Sequence, residues 1–234
     1  MRFDMHAHIL PMADHGSDSV ETSLAQLRLA KAAGVDVILA TPHFYLRERD
    51  TIPAFLARRA RAMEELQAAI TASGEDLPRV VLGAEVTLQV DMDKLPDLEQ
   101  LCIADTNFIL LEMPDYKWSS WVHRALDAIY QRGLRPIIAH LDRYDHACAE
   151  ALLDTDNLVQ VNASAFRPLF LRGKWRDLVA RDLVHFIGSD IHGSDTDGYT
   201  DYTKALRYLG PLGDQLMQNA AELLAPAAEE DELY

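Results

Sequence analysis

The feature that most constrains this 234-residue chain is a sevenfold alternation between short apolar, β-rich runs and amphipathic stretches. The runs are residues 2–6, 36–41, 80–86, 108–113, 135–140, 158–162 and 184–189. Several are nearly continuously apolar, the pattern of parallel strands buried on both faces. The stretches with helical periodicity are residues 20–33, closed by Gly34, 54–72, closing near Gly74, and 121–131, closed by Gly133. Residues 144–153, 174–180, 202–209 and 214–224 complete the set. A glycine just past the last periodic residue is a common helix C-terminal signal. Alternation of this kind predicts βα units and a parallel sheet. Seven units favour an α/β fold with a closed or nearly closed barrel over an open doubly wound sheet. No glycine-rich phosphate loop or dinucleotide fingerprint follows the first run, which also argues against the open sheet.

Composition narrows the class. Apolar residues make up 49% of the chain, enough for a sizeable core. We expect one domain over residues 1–225 and a solvated acidic tail over 226–234, rich in Ala, Glu and Asp. No apolar run is long enough to span a bilayer, so no membrane insertion is expected. The N-terminus shows no cationic segment followed by an apolar stretch, so no signal peptide is expected. The two cysteines, Cys102 and Cys148, lie in unrelated contexts. They form neither a disulfide framework nor a thiolate metal site, and they suit a reducing cytoplasm. The formal net charge of −15 disfavours nucleic acid as a partner, because such binding relies on Lys and Arg neutralising phosphates. Bound divalent cations would reverse that sign locally.

Nine residues able to bind metal fall at or just after the ends of the strand candidates: His6, His8, His15, His43, Glu85, Glu112, His140, Asp190 and His192. Strand ends of a βα-barrel converge on one face, where active sites are built. His6 and His8 are two apart and so share a strand face, as do Asp190 and His192. His43 or His140 taken alone reads more readily as a satisfied structural histidine than as a ligand. Glu85 and Glu112 say more, since an unpaired carboxylate within an apolar strand is costly to bury. A metal removes that cost, and so would a buried Arg–Glu pair. His185 has parity opposite to Asp190 and should face the outer helices. His123 and His146 fall on helical patterns and read as surface residues. Mixed His and carboxylate donors suit Mn²⁺, Fe²⁺ or Zn²⁺ better than Ca²⁺ or Mg²⁺. Nine donors exceed the needs of one ion, so two or three are expected. Such a cluster acidifies water and clamps a phosphoryl group. Arg143, three residues after His140, is placed to neutralise charge on phosphate oxygens in the transition state. By position alone it reads equally well as a surface arginine at a helix N-terminus.

The order His-x-His, Asp-x-Gly, Thr-Pro-His, Gly-x-Glu, Glu, Ala-His-x-x-Arg-Tyr and Ser-Asp-x-His resembles the polymerase and histidinol phosphatase (PHP) superfamily. It is most similar to the bacterial capsule-associated tyrosine-protein phosphatases of that superfamily, from about residue 2 to residue 193. The resemblance implies a distorted seven-stranded (β/α) barrel holding three ions, usually manganese. It implies a hydrolase of phosphomonoesters, notably phosphotyrosine on a tyrosine kinase of polysaccharide synthesis. Carried over by position, His6, His8, Glu85 and Asp190 would hold one ion. Glu85, Glu112 and His140 would hold a second, and His43, His192 and the residue before Gly16 a third. Arg143 falls on the family's phosphate-contacting arginine. The chain departs from the pattern twice. His15 stands where the family has Asp, with Asp14 beside it, and no arginine stands near Asp197. Arg47 or Arg49 is a candidate to supply the missing charge. The alternatives are a small-molecule phosphatase, of the histidinol phosphate or sugar phosphate type, and a non-catalytic metal-stabilised binding module.

Overall fold

The computed structural model describes residues 1–46, 51–114, 118, 120–153, 155–194 and 197–225. The expected acidic tail, Arg47 and Arg49 lie outside the described residues.

Every strand pairing is parallel. One sheet has the order β1 (Phe3–Ala7), β2 (Val37–Ala40), β4 (Arg79–Leu82). The other runs β3 (His43–Phe44), β5 (Glu85–Thr87), β6 (Phe108–Glu112), β7 (Arg135–Ile138), β8 (Leu158–Asn162), β9 (Phe186–Gly188). Each of the seven runs in the sequence contributes here, but the chain passes from one sheet to the other twice, a division between β2 and β3 just past the second run and one between β4 and β5 within the third. Pro42 explains the first division, since it carries no N–H for the ladder. Backbone bonds nevertheless continue across both breaks: Gly83 N donates to Ala40 O at 2.9 Å and Glu85 N to Pro42 O at 3.1 Å. On the far side β9 returns beside β1. Asp190 N donates to His6 O at 2.8 Å and His8 N to Ile191 O at 3.1 Å. The architecture is an α/β fold with a strongly curled parallel sheet.

Helices α1 (Val20–Ala32), α2 (Ile52–Ser73), α3 (Ser120–Gln131), α4 (His146–Leu153), α5 (Arg172–Ala180), α6 (Asp197–Leu209) and α7 (Pro211–Leu223) accompany the sheets. Their apolar stripes join the strands in one continuous core, with Leu27, Phe55, Leu66, Ile129, Leu152 and Tyr202 fully buried. Caps define several ends. Ser19 accepts from Thr22 N at the start of α1, and Thr51 accepts from Ala54 N at the start of α2. Gly74, at φ 65°, closes α2 in a left-handed conformation that a residue with a Cβ adopts at a cost. The helical pattern from residue 144 begins two residues late. Leu141–Arg143 forms a 3₁₀ turn, and the Asp145 carboxylate takes the N–H of Ala147. No helix among the described residues is long and apolar enough to cross a membrane.

Candidate metal centre

The first strand aims two imidazoles at one point. His6 and His8 are fully buried, and their Nε2 atoms lie 3.1 Å apart. Glycines make room for them. A Cβ at Gly16 would collide with His8 Cβ and its carbonyl oxygen, and one at Gly188 with His6 Cβ. Asp14 then orients His8: its Oδ2 accepts from His8 Nδ1 at 2.7 Å and from His43 N at 2.9 Å, while Oδ1 accepts from Gly16 N at 2.8 Å. With Nδ1 committed, Nε2 of His8 is the nitrogen that faces the centre.

Glu85 occupies the middle. Its Oε2 lies 3.2 Å from His6 Nε2, His8 Nε2 and His43 Nδ1, and its Oε1 lies 2.6 Å from His140 Nε2. Glu112 stands behind it, 3.9 Å from His43 Nδ1 and 4.0 Å from His140 Nε2, and accepts from the Thr87 hydroxyl at 2.9 Å. Asp190 closes the other side. Its Oδ1 is 3.5 Å from His8 Nε2, 3.7 Å from His6 Nε2 and 3.6 Å from His192 Nδ1. The His192 ring stacks on His8 with centroids 4.0 Å apart.

Two of these residues have backbones that a side chain disfavours. His140 has φ 32° and Asp190 has φ 52°. Left-handed non-glycine residues cost about 1–3 kcal/mol each and persist where the surroundings over-determine them. Here His140 N donates to Gln160 Oε1 at 2.6 Å, and Asp190 N to His6 O. The kink at Asp190 also replaces the strand-parity expectation for Asp190 and His192. β9 ends at Gly188, and the turn beyond it, rather than a regular pleat, brings both side chains inward.

Four overlapping donor groups result, each with its ligand atoms within 4.8 Å of one another: His6, His8 and Asp190; His6, Glu85 and His140; His43, Glu85 and Glu112; His8, His43 and His192. His15 belongs to none of them. It is exposed at the edge, its ring 4.9 Å from those of both His43 and His192. His185 lies elsewhere, with its Nδ1 accepting from Val159 N at 3.0 Å. His146 pairs with Glu150 on the surface, and His123 is exposed on α3.

The electrostatics describe a site built for cations. Burial opposes ionisation of Glu85, but His6, His140 and His8 outweigh it and hold this carboxyl well below its usual range. Burial likewise opposes ionisation of Asp190, and His6 and His8 again prevail. Glu112 is pushed up by burial and by the charge of Glu85. Burial depresses His43 to about 3, leaving it a neutral donor. Buried atoms without a hydrogen-bond partner include Asp190 Oδ1 and His43 Nδ1. Such orphans are costly in a settled protein interior, and both are satisfied by a positive ion. The donor set fits a divalent metal of the Mn, Fe or Zn kind.

Arg143 reaches the rim. It is 54% exposed, and its Nη1 lies 3.4 Å from Asp190 Oδ2. Trp118 and Tyr144 stand edge to face at 5.3 Å, and Tyr144 lies 5.6 Å from His140, forming an aromatic wall. Two polar residues of β8, neither among the nine candidate ligands, also reach the site. Gln160 Oε1 lies 3.2 Å from His6 Nδ1, and Asn162 Nδ2 donates to Asp190 Oδ2 at 2.7 Å. Their signal was present: two amides at the same strand parity in an otherwise apolar run.

The family model described as capsular polysaccharide synthesis, CpsB/CapC, matches residues 2–219. The tyrosine-protein phosphatase CpsB of Streptococcus pneumoniae is 28% identical over 207 residues, covering 82% of this chain and 84% of that one. The tyrosine-protein phosphatase YwqE of Bacillus subtilis is 27% identical over 235 aligned positions, covering 94% and 91%. A solved structure from work on these two proteins, described as metal-dependent tyrosine phosphatases, superposes with TM-score 0.79 at 24% identity, over 95% of this chain and 94% of that one. A zinc-bound histidinol phosphate phosphatase of Lactococcus lactis superposes with TM-score 0.54 at 18% identity, over 89% and 94%. At those identities the superpositions speak for the fold alone. The family match, spanning nearly the whole chain, decides the assignment: the chain belongs to the CpsB/CapC family of capsular polysaccharide synthesis.

Proposed function

We propose that this protein is a metal-dependent phosphomonoesterase whose substrate is protein phosphotyrosine. The observation that carries the reading is Glu85, a buried carboxylate within 3.2 Å of four imidazoles and shared by two donor groups. The names of the relatives that cover most of both chains support the substrate class.

Two or three ions, manganese by preference, would be held by His6, His8, His43, Glu85, Glu112, His140, Asp190 and His192, with His15 at the edge as a ninth candidate. When bound, the ions supply an acidified water and polarise the phosphoryl oxygens. The residues do the rest. Asp14 fixes the tautomer of His8, and Glu85 spans neighbouring donor groups. Arg143, anchored loosely on Asp190, presents its guanidinium to the phosphate. Trp118 and Tyr144 line the approach to His140 with a surface suited to an aryl ring. We read residues 1–225 as one domain with the distorted seven-stranded barrel of the PHP fold. The bonds that continue β2 into β3 and β4 into β5, and those between β1 and the end of β9, support that count. The partner is a phosphorylated tyrosine kinase of polysaccharide synthesis, and the compartment is the cytoplasm, in keeping with the free thiols of Cys102 and Cys148.

The test is a parallel assay of the Mn²⁺-loaded protein on phosphotyrosine peptide, histidinol phosphate and a phosphodiester. Turnover of the peptide is expected, together with loss of both metal and activity in His140→Ala. Preference for histidinol phosphate would move the assignment to a small-molecule phosphatase. Cleavage of the diester alone would sink the monoesterase reading. Inertness of the loaded protein on all three would leave a binding module.

A further inference from the structure

We infer that Gln160 and Asn162 are positioning residues that decide which atoms of His6 and Asp190 face the metal centre. The inference rests on the metal-site reading above. β8 is a central strand between β7 and β9, yet it supplies none of the nine candidate ligands. It supplies instead two buried amides, Gln160 fully buried and Asn162 at 5% exposure.

The direction of every bond in this network follows from one fixed donor. An amide side chain has an oxygen end that only accepts and a nitrogen end that only donates. The backbone N–H of His140 points at Gln160 at 2.6 Å, so the atom that meets it is the oxygen. The same oxygen lies 3.2 Å from His6 Nδ1, which must therefore carry a proton. That leaves Nε2 of His6, 3.2 Å from Glu85 and 3.7 Å from Asp190 Oδ1, as the nitrogen available to an ion. At its other end Gln160 Nε2 donates to Asn162 Oδ1 at 3.0 Å. Asn162 is thereby turned with its nitrogen towards Asp190, donating to Oδ2 at 2.7 Å. With Oδ2 committed, Oδ1 of Asp190 is the oxygen left buried and without a partner, between His6 and His8. One backbone N–H of β7's end thus sets a ligand atom on β1 and another beyond β9. Partners of this kind typically change metal affinity by about 10–100-fold when removed.

The experiment compares the full-length wild type with Gln160→Met, Gln160→Glu and Asn162→Ala. Mn²⁺ affinity is measured by calorimetry. The imidazole N–H protons are read by NMR in the diamagnetic Zn²⁺-loaded protein. Gln160→Met, which keeps the side-chain length but not the amide acceptor, is expected to bind Mn²⁺ about 10–100-fold more weakly and to lose the His6 Nδ1–H signal. Gln160→Glu keeps an acceptor for His6 and should retain that signal. Asn162→Ala should weaken Mn²⁺ binding while the His6 signal persists, a separation that general loosening of the fold does not produce. Should Gln160→Met not fold, the contrast between the other two variants carries the test. Wild-type affinity in Asn162→Ala, or loss of the His6 signal in Gln160→Glu, would overturn the inference and leave the metal site standing. A wild-type protein that takes up neither Mn²⁺ nor Zn²⁺ would overturn the site reading itself, and this inference with it.

Discussion

Replacing Arg143 with alanine separates a catalytic arginine from a structural one. The guanidinium is 54% exposed, and its contact with Asp190 is long, at 3.4 Å. An exposed pair of this kind is worth about 0–1 kcal/mol, so the melting temperature should hardly move. Asp190 keeps its shorter bond from Asn162 Nδ2 at 2.7 Å, so its orientation and the metal content should also persist. Turnover is different. A cation aimed at phosphate oxygens acts on charge that builds in the transition state, and losing one such donor costs about 10²–10³ in kcat, or about 2.7–4 kcal/mol. A loss within that range is expected. The assay is steady-state hydrolysis of a phosphotyrosine peptide by Mn²⁺-loaded protein, with metal content and melting temperature measured on the same samples. A fall in kcat with both controls unchanged is the expected result. Unchanged turnover would remove Arg143 from the mechanism. A fall in metal content parallel to activity would make it a support for Asp190 instead.

His15→Asp restores the carboxylate usual before this glycine. If His15 is a ligand, the variant keeps the same number of ions by elemental analysis but shifts its preference between Mn²⁺ and Zn²⁺; no change in either marks His15 as a bystander. Metal binding should strengthen as pH rises through neutrality and should release protons. Burial disfavours protonation of His6 and His8, yet Glu85 and Asp190 raise His6, and Asp14, Asp190 and Glu85 raise His8, above 6.5. An ion must displace those protons, so a pH-independent Mn²⁺ affinity between pH 6 and 8, on the order of the unperturbed His range, would contradict the assignment. In the metal-free protein the same groups act with the opposite sign. Their stabilisation is fully present below 6.5 and is lost as pH rises through the raised values. Finally, burial pushes the Cys102 thiol up to about 12, so a thiol reagent at neutral pH should modify half-buried Cys148 readily and Cys102 only after unfolding.

Much of this molecule is legible without coordinates, because the signals concerned are local. An apolar run such as residues 108–113 is a buried parallel strand by composition alone, and Gly74 ends a helix through its own backbone freedom. The pairing of His6 with His8 follows from the two-residue period of a strand, which no distant contact alters. Position after strand ends likewise marked His43, Glu85, Glu112 and His140, since a parallel α/β sheet delivers those ends to one face. What the tertiary structure decided depends on partners far apart in the chain. Asp190 faces inward because its backbone turns left-handed beside β1, and no pattern in residues 184–192 encodes that. His15, expected among the donors, stands at the edge because the turn around Asp14 gives the inward position to the aspartate, which grips His8. Gln160 meets His6 across 154 residues, and only that meeting reveals which nitrogen is left for an ion. Strand periodicity states which face a side chain points to, whereas the atom it offers is settled by the hydrogen bonds its other atoms make, and those exist only once the sheet has curled.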